Sequence, residues 1–493
     1  MVVQAVNGQT TIPDHAPNCD FLEVRGRTSV IAFFGGMAII AASITLGRSY
    51  VFFVSFLSFS ILMTLLWRKA PRPWIYLVSI SAAVPIAVSR QQFACNVVFA
   101  LWLTVFNIKC LSKLPRWLYL LVGLASIGFL TSSFNWIGDN FIKGIMRQGA
   151  FAFNFLLAPF MLLPMIYCRM EKSKDYAANL QGLLFCLIVP STLILLSAKM
   201  FGTVTNAWEA SLHSESLPEG FLQYQIGRVV VNFLRTEVGF ILAALICAST
   251  AIAVSQVKTH YKLLAGVCMA SNVFLLLCTG SFGSGFACLC GLAAIFYALS
   301  RTVNVTKVLV SVATICSILL LIYGLSPPSM KMYLGKRYEH RVVNKDTDRF
   351  DLWVRGIDYF LENPLGVGFT LRAGDKVKTV IHNDYIAYTV SYSLMGGLAY
   401  TSLVAGLLFS FFRRRKSIID DPAALAVYLA GLGVIVAVAV NSITDHMAEN
   451  RWYFNLIWSV IWYSYFCSRA AQRETTQDLM RSDTIFLGAT VSQ

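Results

Sequence analysis

Apolar positions in this chain come in long unbroken runs, not in the alternating or one-faced patterns of water-soluble strands and helices. Runs of roughly 17 to 22 residues, the length that crosses a hydrocarbon core as helix, fall near 29–47, 49–67, 74–89, 93–109, 117–136, 150–168 and 178–198. After a polar interval they resume near 237–256, 263–279, 283–300, 306–324, 386–412, 422–443 and 452–467. The pattern predicts an all-α polytopic membrane protein of about fourteen transmembrane helices, with two external loops at 199–236 and 325–385. The runs 74–89 and 93–109 are short and separated only by Arg90, Gln91 and Gln92, so they read either as two spans or as one re-entrant feature. Residues 1–28 are expected to form a cytosolic N-terminal tail, 29–467 one membrane domain and 468–493 a cytosolic C-terminal tail. No linker, low-complexity tract or repeat divides the membrane domain.

Positive charge in short loops orients the spans, because Lys and Arg flanks resist translocation. With the N-terminus inside, more than half of the 40 Lys and Arg residues fall in cytoplasmic segments, among them Arg25, Arg27, Arg68, Lys69, Arg72, Lys109, Lys113, Arg116, Arg169, Lys172, Lys174, Arg413 to Lys416, Arg469 and Arg473. The short outer loops hold only Arg48, Arg90, Lys143, Arg147 and Arg451. Loops 199–236 and 325–385 are long enough to escape the rule and are placed outside. A composition of 57% hydrophobic and 13% charged residues excludes an ordinary soluble domain. The net charge of +15 is accounted for by anchoring beside anionic headgroups, so nucleic acid is not an expected partner. The first 28 residues include Asp14, Asp20 and Glu23 and lack the apolar core of a signal peptide. Of 12 cysteines, none lies in the two long loops, which excludes a disulfide framework there, and Cys288 and Cys290 read as small apolar packing, so no metal is expected.

The second loop carries most of the remaining information. Phe350, Trp353, Val354, Ile357 and Phe360/Leu361 recur at helical spacing, with Asp348 as a cap, and predict a short amphipathic external helix. Pro364 ends it, and Gly366 and Gly368 permit a tight turn. His382 and Asn383 follow at the mouth of the next span. Imidazole there is a competent base near neutral pH, and equally an interfacial or capping group. Arg349 and Arg355 in the helix, with Arg228 and Arg235 in the first loop, are guanidinium groups suited to clamp a diphosphate or simply to meet headgroups. Asp384, Glu237, Asp445 and Glu449 read as outer-face carboxylates. The turn from Thr279 to Gly285 is glycine-rich for packing. A transporter or flippase would place ionisable or broken-helix residues at mid-membrane, and such charges are nearly absent.

Arg349, Trp353, the Pro364-Leu-Gly-Val-Gly368 turn and His382-Asn383, followed by Gly396 and Gly397, resemble the signature of the O-antigen ligase and polymerase family. Arg228-Val-Val-Val-Asn-Phe233 is similar to that family's first-loop arginine motif. The likeness covers roughly 228–397 and is specific over 349–397. The chain departs from the family at Ser391 and Ser393, where Glu and Gly are usual, and at Ser281-Phe282-Gly283, where a Ser-Arg-Gly turn is usual.

The resemblance implies a metal-independent, cofactor-free glycosyltransferase of GT-C-like fold in a bacterial inner membrane, with cytoplasmic termini and periplasmic loops. Such an enzyme moves a glycan from an undecaprenyl-diphosphate carrier to an acceptor hydroxyl. His382 would be the base, Arg349 and Arg228 the diphosphate clamp, and Asn383, Arg235, Arg355 and Trp353 substrate contacts. Membrane lipid, a flippase and a chain-length regulator are the partners implied. The departures fit an exopolysaccharide or O-antigen polymerase; a ligase acting on lipid A core is the alternative.

Overall fold

The computed structural model describes residues 108–136, 153–201, 220–226, 229–279, 281–300, 349–368, 381, 383–415, 421–444 and 453–491, with a few isolated positions between 317 and 335. The spans expected at 29–47, 49–67 and 74–89, and nearly all of 93–109 and 306–324, lie outside them. After a 3-10 turn at Ile108–Lys113, α1 is Arg116–Trp136. α2 is wound as a π-helix over Phe153–Leu162 and continues as Leu163–Tyr167. α3 runs Tyr176–Leu183, Leu184–Ile188 in π geometry, and Val189–Phe201. Strands β1 (Gly220–Ile226) and β2 (Val229–Leu234) pair antiparallel and lead into α4 (Arg235–Val254). Then come α5 (Thr259–Thr279), α6 (Phe282–Leu299), α7 (Arg349–Glu362), α8 (Asp384–Arg414), α9 (Pro422–Thr444) and α10 (Tyr453–Val491).

Six of the described helical segments are long and apolar enough to cross a membrane: Arg116–Phe134, Tyr176–Leu193, Thr259–Thr279, Phe282–Leu299, Asp384–Arg414 and Pro422–Thr444. The chain is a multi-pass helical membrane protein. The loop expected to be external at 199–236 ends in the β1–β2 hairpin, whose second strand begins with the β-branched run Val229-Val-Val.

α9 is the axis of the bundle. It packs against α3, α4, α6, α8 and α10, and nearly its whole length is buried. Backbone approach at its middle depends on two glycines. A Cβ on Gly431 would lie 2.5 Å from Ser464 Cβ and 2.7 Å from Phe411 Cζ; one on Gly433 would lie 2.6 Å from Ile295 Cδ1 and 3.2 Å from Cys247 Cβ. Gly291 of α6 faces the same contact, with the Gly433 carbonyl 2.6 Å from where its Cβ would stand. Without a hydrophobic driving force between helices in lipid, such close approach is a principal source of cohesion.

Among the described residues, a group of basic side chains ties the helices together at one end. Arg469 and Arg473 bind Glu171 at 2.9 and 2.6 Å, and Lys174 lies 3.3 Å from Glu474. Arg414 donates to the Tyr465 carbonyl, and Arg415 donates to the carbonyls of Tyr297 and Ala298, which end α6. Residues 468–491 of the segment expected to be the C-terminal tail continue α10 as helix, and Arg469, Arg473 and Glu474 contact the 168–176 turn. This end holds several of the segments expected from their charges to be cytoplasmic. The opposite, distal end holds α7 and the start of α8.

Gly433→Val inserts an isopropyl group between α4, α6 and α9 and is expected to cost about 2 kcal/mol or more, read as a lowered unfolding temperature in detergent. At the basic end the hydroxyl of Tyr176 donates to Glu474 at 2.6 Å. That bond, then Lys174, holds the Glu474 carboxyl below the usual carboxylate range. A depressed folded pKa contributes stability above the ordinary value and loses it as pH falls through the folded one. Glu474→Gln should therefore lower the unfolding temperature at neutral pH and flatten its acid dependence below about pH 4.5.

Candidate functional site

The distal end is organised by one turn and one broken helix. α7 ends at Asn363, whose backbone N–H and side-chain Nδ2 both donate to the Tyr359 carbonyl. Pro364 cannot extend the ladder, and Gly366 closes a reverse turn by donating to the Asn363 carbonyl at 2.9 Å. Gly366 and Gly368 adopt φ of 84° and 69°, which glycine takes without steric cost. The turn then meets α8. Val367 N donates to the Val390 carbonyl at 3.0 Å and Gly368 N to the Ser391 carbonyl at 2.8 Å.

Those two carbonyls are free because α8 is broken immediately after them. Tyr392 (φ −127°, ψ 31°) and Ser393 (φ 61°, ψ 177°) leave helical geometry. The expected single span 386–412 is thus two pieces, 384–391 and 394–414, and the second folds back along the first. Tyr385 and Tyr400 would stand about 22 Å apart along a straight helix. Their ring centroids are 5.6 Å apart, and Tyr388 stacks on Tyr400 at 4.1 Å and 7°. Glycines line the elbow: Gly397 faces Thr389, Gly396 faces Tyr392 and the Tyr388 carbonyl, and a Cβ on Gly128 of α1 would collide with the Tyr392 carbonyl and Gly396 N. Ser393 Oγ accepts from Met395 N and from Thr131 Oγ1, both at 3.3 Å, capping the second piece.

The fold-back carries the start of α8 inward. Asn383 caps it, its Oδ1 accepting from Ile386 N at 3.1 Å. Asp384, read from the sequence as an outer-face carboxylate, is 0% exposed. Its Oδ2 accepts from Ser442 Oγ at 3.1 Å, and Ser442 Oγ bonds Tyr400 Oη at 2.8 Å. Tyr400 lies fourteen residues from Arg414, or about 21 Å along the axis, against a hydrocarbon core of about 30 Å. Asp384 therefore lies below the distal membrane surface. Beside the elbow, Ser391 Oγ and Tyr392 Oη are buried with no hydrogen-bond partner among the described residues.

α7 lies against this unit. Trp353, Tyr359, Phe360 and Ile386 pack around Val367, Ile381 and Val390, and Gly356 lets the two backbones approach, since a Cβ there would lie 2.9 Å from Ile381 Cδ1. Of the residues expected at the site, Trp353 is half-buried in this contact, Arg355 is exposed, and Asn383 is a buried cap. Arg349 opens α7 and Arg235 opens α4, while their side chains lie outside the description. Arg228 and His382 lie outside the described residues, although Ile381 and Asn383 on either side of His382 are buried. The structure thus joins the helix, the turn, Ile381 and Asn383. Of the turn expected at 279–285, Phe282–Gly285 form the first turn of α6; a Cβ on Gly283 would lie 3.1 Å from Thr444 Oγ1, and one on Gly285 would meet nothing within 4 Å, so packing accounts for the first glycine and not for the second.

No protein-family model and no curated protein matches this chain. Sequence reasoning did not find Ser442, Tyr400 or Gly128. Their roles come from pairing with residues far along the chain, and the one local signal was serine where the resembled family has glycine, at Ser393.

Ser393 occupies a region of backbone space that costs a non-glycine residue of order 1–3 kcal/mol. Ser393→Gly should stabilise the protein by about 1 kcal/mol and Ser393→Val should destabilise it by more. Thermal unfolding of the two variants in detergent checks this; a lower midpoint for the glycine variant would refute the strained elbow.

Proposed function

We propose that this protein is a membrane glycosyltransferase that lengthens an undecaprenyl-diphosphate-linked oligosaccharide into exopolysaccharide or O-antigen. The observation that carries the reading is the convergence, by the Val367 and Gly368 hydrogen bonds, of α7, the Pro364–Gly368 turn and residues 381–393 into one packed unit at the distal end. Trp353, the Pro364–Gly368 turn and Asn383, parts of the resembled signature, belong to that unit.

In this reading the leaving group is a lipid diphosphate, so the transition state chiefly needs positive charge on the developing phosphate oxygens. Arg349 and Arg228 supply it in this reading, with Arg235 and Arg355 as further substrate contacts. His382 takes the proton of the acceptor hydroxyl as its oxygen forms the new bond to the anomeric carbon and the carbon–diphosphate oxygen bond breaks, with inversion. Asn383 has a more definite part than a substrate contact: it fixes the helix start next to His382. Trp353 buttresses α7. The protein is placed in a bacterial inner membrane with the distal end periplasmic, which the charge distribution between the two ends supports.

One observation favours a second reading, a carrier for lipid-linked sugars. A broken helix with a carboxylate below the membrane surface is what coupled transporters use, and α8 with Asp384 supplies both.

A strain lacking the gene, complemented with variants, separates these. His382→Ala should reduce polymer lengthening by about 10²-fold or more, with protein still in the membrane and single repeats left on the carrier outside. Unattached long polymer would point to ligation, and repeats retained inside to transport. Wild-type chain lengths would remove His382 from the mechanism.

A further inference from the structure

α7 has three faces, not two. Viewed along its axis, Leu352, Trp353, Gly356, Tyr359 and Phe360 form the face turned to the protein, centred on buried Gly356. Roughly a third of a turn round, Phe350, Val354, Ile357 and Leu361 form an apolar face that the protein does not cover, with Phe350 and Leu361 each 68% exposed. The remaining third is Asp351, Arg355, Asp358 and Glu362, charged and exposed. A helix at the edge of a soluble domain needs two environments. This one is built for three.

We propose that α7 lies in the plane of the distal membrane surface, with Phe350, Val354, Ile357 and Leu361 buried in the outer part of the hydrocarbon, its charged face in water and its third face on α8. The occupant of the apolar face is the acyl region of the bilayer. Continuity argues for lipid over a second protein. The stripe runs on through Leu365, which is 48% exposed and adjoins Gly366, and a Cβ on Gly366 would lie 2.6 Å from Ser393 N. Ser393 leads directly into Leu394 and Leu398, exposed apolar residues of the spanning piece of α8. The exposed apolar surface of α7 is thus the upper rim of the surface that α8 already turns to lipid. Depth agrees: the elbow stands about twenty residues, or about 30 Å, from Arg414, one hydrocarbon thickness. Helices of this charge and apolar division bind in the headgroup–acyl boundary.

The consequence is a clamp between bilayer and elbow. Through the turn after it, a helix seated in lipid sets the depth of the 381–393 unit, so the unit works on molecules presented at the membrane surface. The inference stands on α7 itself and does not depend on the transferase reading.

The test uses the full-length protein in phospholipid nanodiscs, with p-benzoyl-phenylalanine placed singly at Val354, Leu361, Asp351 or Asp358, all exposed positions where no core packing is lost. After illumination, mass spectrometry should find phospholipid adducts at Val354 and Leu361, and several-fold fewer at Asp351 and Asp358. Elution volume and unfolding temperature establish that each variant is folded. Crosslinks from Val354 and Leu361 to this chain or to a second copy, in place of lipid, would overturn the proposal, as would equal lipid labelling at all four sites. Either result would leave the outcome of His382→Ala unaffected, so the two readings fail separately.

Discussion

The hydrogen bonds from Val367 and Gly368 to the carbonyls of Val390 and Ser391 hold the distal end of this protein together. A helix broken inside or near a bilayer exposes carbonyls that lipid cannot satisfy, at several kcal/mol each. Here the break at Tyr392 and Ser393 is tolerated because the turn after α7 delivers two amides to it. The dependence runs both ways: the turn is fixed in place by the break, and α7 is fixed by the turn. Remove those bonds and the fold-back of α8, the inward position of Asp384 and the seating of α7 lose their common support.

The same demand is met differently elsewhere in the bundle. In the π-wound part of α2, the carbonyl of Pro159 would look five residues ahead for its donor, to Pro164, which has no N–H. Trp462 of α10 supplies the missing donor through Nε1 at 2.7 Å. At the basic end, Arg415 takes the last carbonyls of α6, and Asp175 and Asp421 cap the starts of α3 and α9. At the break in α8 and in the π-wound part of α2, a turn or a side chain from another segment meets the irregular backbone.

This explains what was legible in the sequence. The spans could be read because a run such as 422–443 is apolar on every side, and its helix, Pro422–Thr444, differs by a residue. α7 was legible as a helix from its spacing and from Pro364. Its apolar residues were not legible as two separate sets, because Trp353 and Phe350 look alike until one is seen against Ile381 and Val390 and the other in the open. The break in α8 was hidden for a stronger reason. Ser391-Tyr-Ser393 is acceptable helix sequence, and its partners lie twenty-three residues back, in a turn that reads only as a loop. The inward turn of Asp384 follows from that break and was hidden with it. The β1–β2 hairpin had a visible signal in Val229-Val-Val, outweighed by its setting in a polar loop.

Asp384 also bears on the choice between catalysis and transport. A carboxylate removed from water is costly unless its surroundings hold it by hydrogen bonds. A transporter must release and re-form such bonds as it cycles, and so keeps the groups around its coupling carboxylate free to move. Around Asp384 they are packed: Ser442 also bonds Tyr400, Tyr400 is stacked flat on Tyr388, and Tyr388 belongs to the short piece that Asp384 itself begins. Moving the carboxylate would require unstacking the two rings or unfolding the elbow from Gly128 and from the 366–368 turn. An arrangement so locked suits a group that fixes the position and field of its neighbours, His382 being two residues away along the chain. It suits poorly a group that must alternate, and on that ground the transferase reading is the better supported of the two.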